Sequence, residues 1–136
     1  MSRDEKTVSY NMSRIRCKDT KIEILLRKEL WRRGLRYRKN CGKIFGKPDI
    51  VFISKKIAIF CDSEFWHGYD WEHRKHDFKK NREFWIPKIE RNIRRDREVT
   101  ERLQSEGWLV LRYWGKTIKK NLTDCADEIE GEWRKR

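Results

Sequence analysis

The spacing of apolar residues along the chain changes several times, and each change marks an element. Ile22, Leu25, Leu26 and Leu30 recur at three- and four-residue intervals, which predicts an amphipathic helix. Asp19 or Thr20 is placed to cap it, and Gly34 stops it after Arg33. Leu35–Lys39 reads as a short strand. Two β-type runs follow, Asp49–Ile53 and Ile57–Asp62, joined by Ser54-Lys55-Lys56. The stretch Lys79–Glu106 carries Trp85, Ile89, Ile93 and Leu103 with few breakers. It predicts one long helix, with Pro87 near its first turn or at a kink, ended by Gly107. Trp108–Trp114 is a further strand, with Leu109, Val110, Leu111 and Tyr113, and Leu122–Arg134 a terminal helix. The order αβββαβα describes an α/β sandwich of modest size. No linker, low-complexity tract or repeat divides it, and 136 residues suit a single core. Residues 1–16 are basic and polar, with Arg14 and Arg16 near the first helix. They read as an arm, leaving 17–136 as the domain.

Composition adds a partner to this outline. Charged residues make up 42% of the chain, yet seven Trp, six Phe and four Tyr supply enough aromatic area for a compact core. A formal net charge of +13 goes beyond solubility and points to a polyanion, of which nucleic acid is the commonest. No long apolar stretch, signal peptide or lipidation motif is visible, so a membrane-surface protein ranks low and a cytoplasmic, nucleoid-associated one is expected. Cys17, Cys41, Cys61 and Cys125 are far apart and form no CxxC pair. Structural zinc is not supported, and free thiols are the expectation.

The chemistry concentrates at the ends of the predicted hairpin, KPDIVFISKKIAIFCDSEFWH. With its turn centred near Lys55, Asp49 lies across from Cys61 or Asp62, about 5 Å away between Cβ atoms. One Mg²⁺ can bridge oxygens at that separation. Cys61 contributes its carbonyl more plausibly than its thiol, and Asp62 is a further oxygen donor. On the long helix, Asp96 shares the face of Ile93 and Leu103. A carboxylate there costs several kcal/mol unless it is paired. Arg94 and Arg95 are its neighbours in sequence and point elsewhere, so a partner on another element, such as a histidine, is expected. His67 is suited to activate a water for attack on phosphorus, with Asp96 to orient its ring. Glu23, on the first helix, either favours that helix's positive end or joins Asp49 and His67. His73 and His76, in EHRKHD, read as solvated or phosphate-facing. The adjacent Phe65 and Trp66 are either core or an apolar wedge of the kind that unstacks a base step. The Lys and Arg residues of 74–95, Lys79, Lys80 and Arg82 among them, offer a sequence-independent phosphate-contacting face.

Five blocks, NMSRIRCKDTKIE, GKPDIVF, IFCDSEFWH, REFWIPKIERNIRRD and LQSEGWLVLRYW, together resemble the very-short-patch mismatch repair endonucleases, in order and spacing, over nearly the whole chain after about residue 9. The resemblance implies a restriction-endonuclease-like PD-(D/E)xK fold with a central mixed sheet flanked by helices. It implies Mg²⁺-dependent nicking of double-stranded DNA beside a T·G mismatch, and a monomer is expected. The family's catalytic pattern falls on Glu23, Asp49, Cys61, His67 and Asp96. It gives Asp49 and the Cys61 carbonyl to the metal, His67 the acid/base role, with Asp96 and Glu23 in support, and Phe65, Trp66 and Trp85 to intercalation. Repair members often carry a second histidine where this chain has Asp62. Many also bind a structural zinc, and the matching positions here are Glu64, Tyr69, Trp71 and Lys116, so no zinc is expected. A homing-type or other endonuclease with the same active site, and a DNA-binding module without catalysis, are the rival readings.

Overall fold

The computed structural model describes residues 20–39, 42–64, 67–77 and 81–136. Helix α1 (Lys21–Arg32) begins as predicted at Thr20, whose hydroxyl accepts the Glu23 N–H at 3.4 Å. It closes at Gly34, where the Leu35 N–H returns to the Leu30 carbonyl at 3.0 Å. Then come β1 (Arg38–Lys39), β2 (Ile50–Phe52) and β3 (Ile57–Asp62). A short helix α2 (Trp71–Arg74) and a 3₁₀ turn (Lys75–Asp77) precede the long helix α3 (Arg82–Ser105), which keeps Pro87 inside it. Strand β4 (Leu109–Trp114), a short helix α4 (Gly115–Lys120) and α5 (Leu122–Lys135) complete the chain.

Among the described residues, four strands form one mixed sheet in the order β1-β2-β3-β4. The first two pairings are antiparallel, and β3 with β4 is parallel. Every residue of β3 is buried, as expected for a strand covered on both faces. Alternation divides it between two cores. Ile57, Ile59 and Cys61 join Leu26, Leu30, Tyr113, Ile118 and Ile129, under α1, α4 and α5. Ala58 and Phe60 face the other way, against Val99 and Leu103 of α3. The result is an α/β domain of restriction-endonuclease-like architecture, with the site at the C-terminal end of β3.

Several predicted boundaries move. The hairpin register is Ile50↔Ile59 and Phe52↔Ile57, one residue tighter than a turn centred on Lys55 gives, and Asp49 lies just beyond the ladder with its N–H on the Ile59 carbonyl. The cause lies in the turn. Ile53 leaves the ladder and, 45% exposed, enters a turn closed by Lys55 N–H to the Phe52 carbonyl and Lys56 N–H to the Ile53 carbonyl, both at 3.2 Å. Lys56 takes a φ of 55° there. Leu35–Lys39 contributes only Arg38 and Lys39 to the sheet, because Leu35 turns into the core. The long helix starts at Arg82 instead of Lys79, and α2 and α4 were not foreseen. Helix α4 is too short for a periodic signal. Its open end is met by a side chain from elsewhere, since the Glu64 carboxylate accepts the Lys116 N–H at 2.8 Å. The Lys116 ammonium also lies 5.1 Å above the Tyr69 ring, and Tyr69 meets Trp114 edge-on. Glu64, Tyr69 and Lys116 thus form one contact cluster beside the site.

Candidate active site

Asp49 sits just before β2, where its N–H is fixed to the Ile59 carbonyl at 3.0 Å. Its carboxylate reaches diagonally across the hairpin and accepts the Cys61 N–H at 2.7 Å. The ladder puts the N–H and C=O of one residue on the same strand edge, so the Cys61 carbonyl also faces this side. Glu23, 2% exposed on α1, lies against Asp49 and shares a hydrogen bond with it. It also faces Arg27 at 3.9 Å. Burial, the Glu23 charge and that shared bond push the Asp49 carboxyl up to about 7, against the pull of the Cys61 N–H. Asp49 and Glu23 are therefore a crowded carboxyl pair, and the crowding is part of what lifts Asp49. An oxygen-only donor set of this kind, with excess negative charge, fits a hard divalent cation such as Mg²⁺.

The second half of the site is built on the opposite face of β3. His67 Nδ1 lies 2.5 Å from Asp96 Oδ2 on α3, and 3.6 Å from Asp62 Oδ1 at the end of β3. The partner expected for the misplaced Asp96 is thus a histidine from another element. A carboxylate only accepts, so Nδ1 carries the hydrogen and Nε2 keeps its lone pair. Burial pulls the imidazole pKa down, but the Asp96 hydrogen bond and the charges on Asp62 and Asp96 outweigh it and leave the value raised above 6.5. Burial raises the Asp62 carboxyl despite His67 and Arg112 beside it. His67 is placed by a tight loop, with its N–H on the Ser63 carbonyl at 3.1 Å and the Tyr69 N–H on the Glu64 carbonyl at 3.0 Å. One cavity of about 450 Å³ is lined by Glu23, Asp49, Cys61, Asp62, His67 and Asp96 together. Elements from α1 to β4 thus converge on a single chamber.

A model of the family described as DNA mismatch endonuclease Vsr matches residues 2–73. The chain belongs to this family. It is 62% identical over 112 residues to the type II nicking enzyme V.NmeDIP of Neisseria meningitidis serogroup C, covering 82% of this chain and 76% of that one. It is 55% identical over 113 residues to the type II nicking enzyme V.HpaIIP of Haemophilus parainfluenzae, covering 83% and 80%. The DNA mismatch endonuclease Vsr of Escherichia coli K12 is 37% identical over 137 residues, covering 96% and 85%.

Not every predicted site residue of this Vsr-family chain joins the chamber. Arg14, Arg16, Phe65, Trp66, Lys79 and Lys80, with the arm 1–16, lie outside the described residues. Trp85 is buried at 7% exposure, and the open ring beside it is Phe84 at 57%, packed edge-on 4.7 Å away. Arg82 is exposed at the start of α3. His73 is exposed and bound to Asp70 at 2.8 Å, away from the chamber. Arg112 was missed. It lies 3.2 Å from both Asp62 oxygens and donates to the Asp96 carbonyl. Its signal was present in LVLRYW, where alternation turns Leu109, Leu111 and Tyr113 to one core and leaves an arginine facing α3. Among the described residues, no helix is long and apolar enough to cross a membrane.

Proposed function

We propose that this protein is a Mg²⁺-dependent endodeoxyribonuclease that nicks duplex DNA at or beside a mismatched base pair of the T·G kind, acting as a monomer in the nucleoid. The observation that carries the reading is the meeting of the His67–Asp96 pair and the Glu23–Asp49 pair in one cavity. Family membership supplies the substrate class, since the relatives are named as nicking enzymes and a mismatch endonuclease.

Asp49 and the Cys61 carbonyl would hold the cation, with Glu23 behind Asp49. A bound Mg²⁺ supplies positive charge for the phosphate and for the leaving oxygen. The chain's own residues handle the proton. Nε2 of His67 takes it from the attacking water as the water oxygen bonds to phosphorus and the bridging P–O bond breaks. Asp96 keeps Nδ1 protonated and stabilises the imidazolium that forms. Water is limited by the walls of the chamber, which include Phe60 and Val99.

Duplex binding is assigned to the basic ground around the chamber. Two shallow grooves continue from it, sharing Gly46 and Arg95, and are rimmed by Lys43, Lys47, Arg91, Arg94 and Arg102. Exposed Phe45 stands there with the Arg102 guanidinium 4.0 Å above its ring. Phosphate contacts of this kind give register and affinity but no sequence choice. The wedge at the mismatch is assigned to Phe65 and Trp66 on sequence alone. The test is nicking of supercoiled and T·G-containing duplex DNA with Mg²⁺, mapped to the nucleotide. Asp49→Ala is expected to abolish it, and wild-type rates from a clean Asp49→Ala preparation would remove the assigned site.

A further inference from the structure

Asp62, His67 and Asp96 offer ligand atoms that all lie within 4.8 Å of one another. By spacing alone this trio could hold a divalent ion, which would compete with the Asp49 side of β3 for the metal. The position is already filled by a cation of the chain itself. Arg112 Nη1 stands 3.2 Å from both oxygens of Asp62 and 3.8 Å from Asp96 Oδ1. The remaining edges of the guanidinium are engaged too. Nε donates to Thr100 Oγ1 at 2.8 Å, and Nη2 donates to the Asp96 carbonyl at 3.1 Å. One face of the group covers the Phe60 ring, 4.1 Å from its centroid.

A guanidinium has five donors in a rigid plane and keeps its charge at every accessible pH. Held by two elements and an aromatic face, it does not swing toward solvent as a surface arginine does. Asp62 is largely buried and spends both oxygens on it. A metal ion could enter the trio only by expelling a charge anchored by at least three hydrogen bonds.

We propose that Arg112 is a built-in cation that occupies the Asp62–His67–Asp96 trio, keeps metal out of it, and fixes Asp62 and Asp96 as the frame that orients His67. Arg112 touches no reacting atom and is a positioning residue. Asp62, expected as an additional metal donor, becomes its counter-ion. The inference rests on the Asp49 reading above for where the ion goes instead.

Mn²⁺ binding without DNA, followed by electron paramagnetic resonance and calorimetry, tests it on the full chain. Wild type is expected to bind one Mn²⁺, lost in Asp49→Asn and retained in Asp62→Asn. Arg112→Met is expected to gain a second Mn²⁺ that Asp62→Asn removes. That gain is expected in an Asp49→Asn background as well, so a failure of the Asp49 reading leaves this arm intact. Arg112→Lys keeps the charge, so it should gain no Mn²⁺ and should recover part of the nicking rate lost in Arg112→Met. The inference is overturned if wild-type Mn²⁺ is lost in Asp62→Asn, an arm that needs no change at Arg112. It is equally overturned if a folded Arg112→Met gains no ion.

Discussion

Asp96 contacts His67 at Nδ1, 2.5 Å away, and leaves Nε2 as the imidazole's free base. The proposed mechanism requires His67 unprotonated, and its pKa is raised above 6.5 because the Asp96 bond and nearby carboxylates outweigh burial. The sign is therefore fixed: nicking should fall as pH drops through that raised value. Asp96→Asn keeps the shape but removes a charge that raises the pKa. The acidic limb of the pH–rate profile should move to lower pH, and the plateau should fall roughly a hundredfold. Single-turnover nicking across pH checks both. An unmoved limb would mean that another group titrates.

The Glu23–Asp49 pair sets stability against activity. Asp49 titrates near 7 in the fold against an ordinary 3.8. A carboxyl with a raised folded pKa favours the fold while protonated, so this contribution is full below about pH 4 and is lost as pH rises toward 7. Above that range the metal-free protein carries the cost. Asp49→Asn keeps an oxygen for the Cys61 N–H and removes the charge. Each unit of relieved shift is worth about 1.4 kcal/mol, or a few degrees in melting temperature at this chain length. Asp49→Asn should thus melt higher than wild type at pH 8 without metal, while nicking nothing. Mg²⁺ should raise the wild-type midpoint and leave that of the variant in place. Thermal melts with and without Mg²⁺ measure this.

The pattern of the sequence carried the elements that matter, because their signals are local. Thr20 and Gly34 bracket α1, and Gly107 ends α3, each by a cap made within a few residues. Asp96 was found because a carboxylate on an apolar stripe demands a partner. What stayed hidden depends on distant groups. The hairpin register hinged on whether Ile53 belongs to the strand or the turn, which is decided by the turn's own geometry. The open end of helix α4 is met by Glu64, 52 residues before Lys116, so no local pattern announces it. Arg112 is one of 35 lysines and arginines, so composition does not single it out. Its meeting with Asp62 comes from the parallel pairing of β3 and β4, which sets Arg112 beside Phe60, two residues before Asp62.

The grooves beside the chamber predict how binding responds to salt. Lys43 and Arg94 rim them. Each phosphate contact contributes about 0.9 to the slope of log affinity against log salt on B-form DNA. The double substitution Lys43→Ala, Arg94→Ala should lower that slope by roughly two and leave the nicking rate of the saturated complex near wild type. Arg134, on α5 across the sheet, is tied to Glu130 at 2.6 Å. Its alanine variant should leave the slope unchanged. Titrations of a fluorescent duplex at several salt concentrations decide between these outcomes.

Gly68 links the position of His67 to the packing of α3. Its φ is +71°, and an added Cβ would stand 2.3 Å from Ile93 Cδ1 and 2.7 Å from Cγ1. Alanine there pays for a left-handed backbone, about 1–2 kcal/mol, and for overpacking of similar size, about 1–3 kcal/mol. The loop can escape the clash by moving away from α3, and that movement draws His67 from Asp96. Gly68→Ala should therefore lose nicking rate beyond what its lower melting temperature explains. Ile93→Ala removes the colliding atoms while leaving the φ penalty, so Gly68→Ala should cost less in that background than in wild type. The difference is the coupling energy of the pair. It should come with partial return of activity, because the loop can settle back with His67 on Asp96. Full activity in Gly68→Ala alone would show that His67 is held by Asp96 and Ser63, with no part for the close approach of Gly68 to α3.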